Sequence, residues 1–86
     1  METQTEPTNA TRYPIRDTLA KDIDNRFTYH PPVGSQQERY IAIREKAHEL
    51  ATLIAQCSTE SREQSLALTH LQNAVMWANA GIACNE

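Results

Sequence analysis

Apolar residues recur along most of this chain at the spacing of a helix. Tyr40, Ile43, Ala47, Leu50 and Ile54 step by three and four in alternation, which lines one face of an α-helix. A second series, Leu68, Leu71, Val75, Ala78 and Ile82, steps the same way. Between the two lies the short polar stretch Ser58-Thr59-Glu60-Ser61. The pattern predicts a first long helix over about residues 35–56. A second long helix then folds back along it as an antiparallel hairpin. Ser35 with Glu38, and Ser61 with Gln64, read as capping boxes at the two helix starts.

Ahead of the hairpin the pattern is weaker. Ile15, Leu19 and Ile23 recur every four residues, and Pro14 suits a first helical turn, so a short helix is expected within Tyr13 to Asp24. Pro31-Pro32 and Gly34 end any regular element there, because each proline removes a donor and drives its predecessor to extended geometry. Residues 1–11 are polar, contain Pro7 and carry no apolar anchor; they are expected to be mobile unless a partner orders them. The expected organisation is therefore all-α: a flexible segment over 1–11, then a helical hairpin domain over 12–86 with a short N-terminal helix and a Pro-containing loop.

The second long helix has apolar residues on more than one side. Leu66, Asn73 and Trp77 lie off the Leu68–Leu71–Val75 face, and Ala74, Ala78, Ala80 and Ala83 leave room for another helix to approach. Two apolar sides imply more than one neighbour. The N-terminal segment could supply that neighbour within one chain, or a second copy could. An 86-residue chain with one Trp and one Phe builds only a thin core alone, which favours assembly as a helical homo-oligomer.

Charge removes one class of partner. With 8 Lys and Arg against 11 Asp and Glu, the formal charge is −3, so no duplex nucleic-acid partner relying on a broad basic surface is expected. Small anions are another matter, since Arg12, Arg16, Lys21 and Arg26 all fall in the first third. No run of eighteen apolar residues and no apolar N-terminal stretch occur, so neither a membrane span nor a signal peptide is expected, and the chain reads as cytosolic. Cys57 and Cys84 fall at opposite ends of the hairpin, roughly 35 Å apart at 1.5 Å per residue, too far for a disulfide. Free thiols are expected.

Catalytic patterns are poor. Glu45 and His48 form the Glu-x-x-His step used in di-iron bundles, but the second helix offers only Glu63, far away in an antiparallel hairpin. The three histidines are too dispersed for zinc, and the cysteines lack ligand spacing. Two glycines leave no Gly-rich phosphate loop. Ser61, Ser65 and His70 lack a third orienting group. No enzyme, no metal and no cofactor are expected.

Anion and base binding fits the residues better. Arg26, Thr28, Tyr29 and His30 bring a guanidinium, a hydroxyl, a phenol and an imidazole into five positions, and Tyr13 lies between Arg12 and Arg16. Aromatic faces stack on bases while Arg and Thr donate to phosphate. The structural alternative is that Phe27 and Tyr29 anchor the loop, with Arg26 paired to Asp22 or Asp24. Ser61, Arg62 and Ser65 stand at a helix start, where free N–H groups favour anions; simple capping is the alternative there.

Four strings then converge on one family. They are Phe27-x-Tyr29-His30-x-Pro32, Arg39-Tyr40-x-x-Ile43-Arg44, Ser61-Arg62-Glu63-x-Ser65-Leu66-Ala67-Leu68-Thr69-x-Leu71 and Met76-Trp77-Ala78-Asn79-Ala80. Over roughly residues 26–84 the chain resembles the small phage anti-CBASS sponge proteins, whose hairpin domain is shared with anti-Thoeris sponges. The resemblance implies a homohexamer of hairpins in the host bacterial cytoplasm that sequesters cyclic oligonucleotides, such as 3′,3′-cyclic GMP–AMP, without degrading them. It implies cyclic dinucleotide pockets between protomers, with Tyr13 stacking on a base and Arg26 and Thr28 on phosphate. It also implies a separate cyclic trinucleotide site, for which Arg62, Ser65 and Thr69 match. The rival reading is a helical protein-binding module that inhibits a host protein through the Trp77 side.

Overall fold

The computed structural model describes residues 12–86, and the expected flexibility of 1–11 lies outside them. Three helices run in order among the described residues: α1 (Asp17–Phe27), α2 (Gln36–Cys57) and α3 (Arg62–Asn85). α2 and α3 pack on one another as the antiparallel hairpin that the two apolar series predict. Neither cysteine is in a disulfide.

The seam drifts as it climbs. Tyr40, Ile43 and Ala47 are half-buried, but Leu50 is 45% exposed and Ala51 takes its place facing α3. On α3 the half-buried series is Leu68, Leu71, Val75, Asn79 and Ile82, with Asn79 replacing the expected Ala78. A straight helix has 3.6 residues per turn, so a strict 3-4-3-4 series walks off the contact line and the next residue takes over.

α1 begins and ends later than the sequence predicts. Arg16 is its extended N-cap, at φ −64° and ψ 149°, and contributes no side-chain cap. Pro14 and Ile15 precede the helix. The start at Asp17 puts a carboxylate, in place of the Arg16 cation, in the turn whose bare N–H groups carry positive charge. At the other end no proline intervenes until Pro31, so the helix continues past Asp24. Arg26 and Phe27 therefore belong to its last turn, where a cation complements the carbonyl end of the dipole.

The two capping boxes fare differently. Ser35 lies at φ −84°, ψ 6° and makes no cap; its hydroxyl instead accepts from Arg39 Nε at 3.1 Å. Gln36 serves the turn in its place. Its Oε1 accepts from Val33 N at 3.0 Å and its Nε2 donates to Ile82 O at 3.5 Å, which ties the loop to α3 and leaves Gln36 only 5% exposed. Gly34, at φ +56°, provides the left-handed turn that other residues adopt at a cost. Ser61 does cap α3, accepting from Gln64 N at 3.1 Å. Gln64 then reaches back to Ser58, with its Nε2 3.0 Å from both the carbonyl and the hydroxyl oxygen. Ser61→Ala is expected to lower stability by about 1 kcal/mol, read as a lower urea midpoint at constant slope.

An ion pair closes the open end of the hairpin. The Arg39 guanidinium bonds both oxygens of Glu86. The hydrogen bond from Arg39 holds the Glu86 carboxyl below its usual value, against an opposing effect of desolvation, and the Arg39 attraction adds to it. A carboxyl lowered on folding stabilises fully above its unfolded value of 4.5, and that contribution is lost as pH falls through the folded value. Amide protection factors in the last turn of α3, taken against the intrinsic exchange rate at each pH, should therefore fall on acidification below about pH 4.5, and Arg39→Met should abolish that dependence.

The hairpin does not enclose a core. Among the described residues no apolar side chain is fully buried, while Trp77 is 77% and Met76 59% exposed. The radius of gyration is 19.2 Å, where a compact chain of this length has about 12 Å. α1 touches α3 at its last turn, yet it leaves Trp77 uncovered.

Candidate functional site

Side-chain contacts to α3 hold the turn after α1. Asn25 Nδ2 donates to Cys84 O at 2.9 Å. In return Asn25 O accepts from His30 Nε2 at 2.7 Å and, more weakly, from Cys84 Sγ at 3.9 Å. These bonds fix the chain on both sides of Arg26, Phe27, Thr28 and Tyr29. Thr28 is the C-cap of α1, extended at φ −102° and ψ 137°, and exposed.

Arg26 is oriented from within α1. Its Nε lies 3.0 Å from Asp22 Oδ2, one turn earlier, with two-thirds of the side chain exposed. The pairing with Asp22, one of the two structural alternatives, is thus present and compatible with binding. A guanidinium engaged through Nε still presents its two Nη groups, the fork that grips a phosphate. Beside it, Asp22, Asn25, Trp77, Ala80 and Gly81 line a cleft of about 280 Å³. Gly81 carries no Cβ and nothing stands within 4 Å of where one would be, so the cleft stays open above α3.

Tyr13 does not join this group within one chain. It precedes α1, 90% exposed, while Arg26 and Thr28 are at the far end. α1 itself separates them by roughly 14 Å at 1.5 Å per residue. Arg62, Ser65 and Thr69 occupy the first two turns of α3, all exposed. Their spacing of three and four places them on one side of the helix. Ser61 beside them spends its hydroxyl on the Gln64 N–H, so it acts there as a cap.

A second cleft escaped the sequence reading. Tyr29, His30, Tyr40, Arg44 and Asn79 line a groove of about 470 Å³ where the loop crosses α2 and α3. The Asn79 Oδ1 there is buried without a hydrogen-bond partner. Tyr40 and Arg44 stand one turn apart, and Asn79 interrupts an apolar series; those two signals pointed to it. Among the described residues no cluster of His, Cys, Asp and Glu could hold a metal ion, and no helix is long and apolar enough to cross a membrane.

The described residues form an all-helical hairpin that carries basic and aromatic groups on its loop side. The family model of the Acb2/Tad1 hairpin domain matches residues 20–83, and the chain belongs to that family of anti-CBASS and anti-Thoeris sponge proteins. No curated protein and no solved structure matches the chain.

Proposed function

We propose that this protein is a non-enzymatic sponge for cyclic dinucleotides. It acts in the cytoplasm of an infected bacterium and antagonises CBASS-type defence by removing the signal from its effectors. The observation that carries the reading is the pairing of Arg26 and Thr28 on a turn clamped to α3, with Arg26 pre-set by Asp22, inside the matched hairpin.

Sequestration requires affinity and no chemistry. A cyclic dinucleotide offers two phosphates and two flat bases. Tyr13 supplies a stacking face, Arg26 the phosphate fork and Thr28 a hydroxyl. Stacking contributes roughly 1–3 kcal/mol per base and each charge-assisted hydrogen bond roughly 1.5–3 kcal/mol. The nanomolar range needs about 12 kcal/mol net, so one copy of each residue falls short after association costs. Two copies reach it. Sites between protomers of a homohexamer answer this need and also cover the exposed apolar surface. Arg62, Ser65 and Thr69 form the proposed cyclic trinucleotide site at the hairpin tip.

Titration calorimetry with 3′,3′-cyclic GMP–AMP tests the reading: saturable heat supports it. The second reading, a protein-binding module, draws on the exposure of Trp77 beside Met76. It requires a defined protein partner in pull-downs and no heat from the nucleotide.

A further inference from the structure

From the end of α1 to the start of α2 the chain is held at few points. Every residue over 24–35 is exposed except Asn25 and His30, which are half-buried. Arg26, Phe27, Thr28 and Tyr29 hang between these two anchors. Asp22 orients Arg26 within α1, but the anchors set where the whole turn stands on the hairpin.

Both anchors close on one spot. Asn25 O is among the last four carbonyls of α1, and Cys84 O among the last four of α3, groups for which a helix has no partner of its own. Asn25 Nδ2 donates to Cys84 O at 2.9 Å, while Asn25 O accepts from His30 Nε2 at 2.7 Å and from Cys84 Sγ at 3.9 Å. Each helix end thus helps to cap the other. α3 depends on such help, because its last turn holds no basic residue and its C-cap is Glu86, a carboxylate where the helix dipole favours a cation. The neighbours supply what is missing: Asn25 on Cys84 O, Gln36 Nε2 on Ile82 O at 3.5 Å, and Arg39 on the Glu86 carboxylate.

We propose that Asn25 is a positioning residue that latches the end of α3 to the turn carrying Arg26 and Thr28, so that closure of α3's last turn and ligand binding are coupled. The inference rests on the sponge reading above. With the latch closed, the turn is pre-set and binding no longer has to order it. With the latch open, the turn is loose and the last carbonyls of α3 turn to water. Such coupling is reciprocal: the ligand favours closure by the factor by which closure favours the ligand. One ordinary hydrogen bond sets that factor at about fivefold.

The test measures both sides of this equality in the full chain. Titration calorimetry with 3′,3′-cyclic GMP–AMP compares the parent with Asn25→Ala, a substitution that suits a helix interior. Amide protection factors at residues 82–85 are read for each protein, empty and saturated. Asn25→Ala should bind about fivefold more weakly. Ligand should raise protection about fivefold in the parent and leave it unchanged in the variant. Ser61→Ala is the control for stability, since it removes one bond at the opposite end of α3. It should lower the urea midpoint yet keep the parent's affinity and protection gain. Parent-like affinity in Asn25→Ala, an undiminished protection gain in that variant, or an equal affinity loss in Ser61→Ala overturns the positioning role. Heat from the parent keeps the sponge reading in each of those cases. No heat from the parent removes the sponge reading, and the positioning role with it.

Discussion

Arg26→Ala should weaken cyclic dinucleotide binding at least about tenfold while the assembly stays intact. The loss follows from the arrangement of the guanidinium. Asp22 engages Nε at 3.0 Å, which leaves both Nη groups to meet a phosphate, and each charge-assisted bond contributes roughly 1.5–3 kcal/mol. Tenfold is about 1.4 kcal/mol, less than one such bond, so the estimate is a lower bound. Assembly should persist because the exposed apolar residues and the hairpin seam are untouched. Arg26→Lys should fall between, since lysine keeps the charge and loses the fork. Titration calorimetry reads the affinity and native mass spectrometry the assembly; an affinity equal to the parent's would remove Arg26 from the site.

Leu71→Asp should cost about 3 kcal/mol or more and abolish most of the helical signal at low urea. Leu71 lines two neighbouring grooves together with Ala47 and Val75, which places it in the middle of the α2–α3 seam. A carboxylate there loses water and displaces the packing of a leucine. The hairpin has no fully buried apolar residue in reserve, so a loss of that size takes most of what so small a core supplies. Far-UV circular dichroism across a urea series measures it. A midpoint like the parent's would mean that the α2–α3 seam does not hold the fold together.

What the sequence disclosed follows from the range of the forces involved. α2 and α3 were legible because their apolar residues repeat at the helical period over twenty-odd residues. α1 was legible as an element but not in its bounds, because Pro14 is compatible with a helix start and the dipole preference for Asp17 over Arg16 decided between the two. The Ser61 cap was readable since Ser61 and Gln64 are near neighbours; Ser35 was not, because Gln36 gained a partner across the fold in Ile82. The same limit applies to the site. Arg26 and Asp22 are one helical turn apart and their pairing was foreseen as one of two options. The clamp between Asn25 and Cys84 joins residues 59 positions apart, and no local pattern announces it. The groove around Tyr40, Arg44 and Asn79 needed three separate segments to meet.

The proposed function, storage of the ligand without conversion, makes one measurement most direct. The protein is incubated with 3′,3′-cyclic GMP–AMP, freed of excess nucleotide, then heated to unfold it, and the released material is separated by chromatography. A sponge returns the intact cyclic dinucleotide in proportion to the sites it filled. A linear or otherwise altered nucleotide, or none at all, contradicts the account.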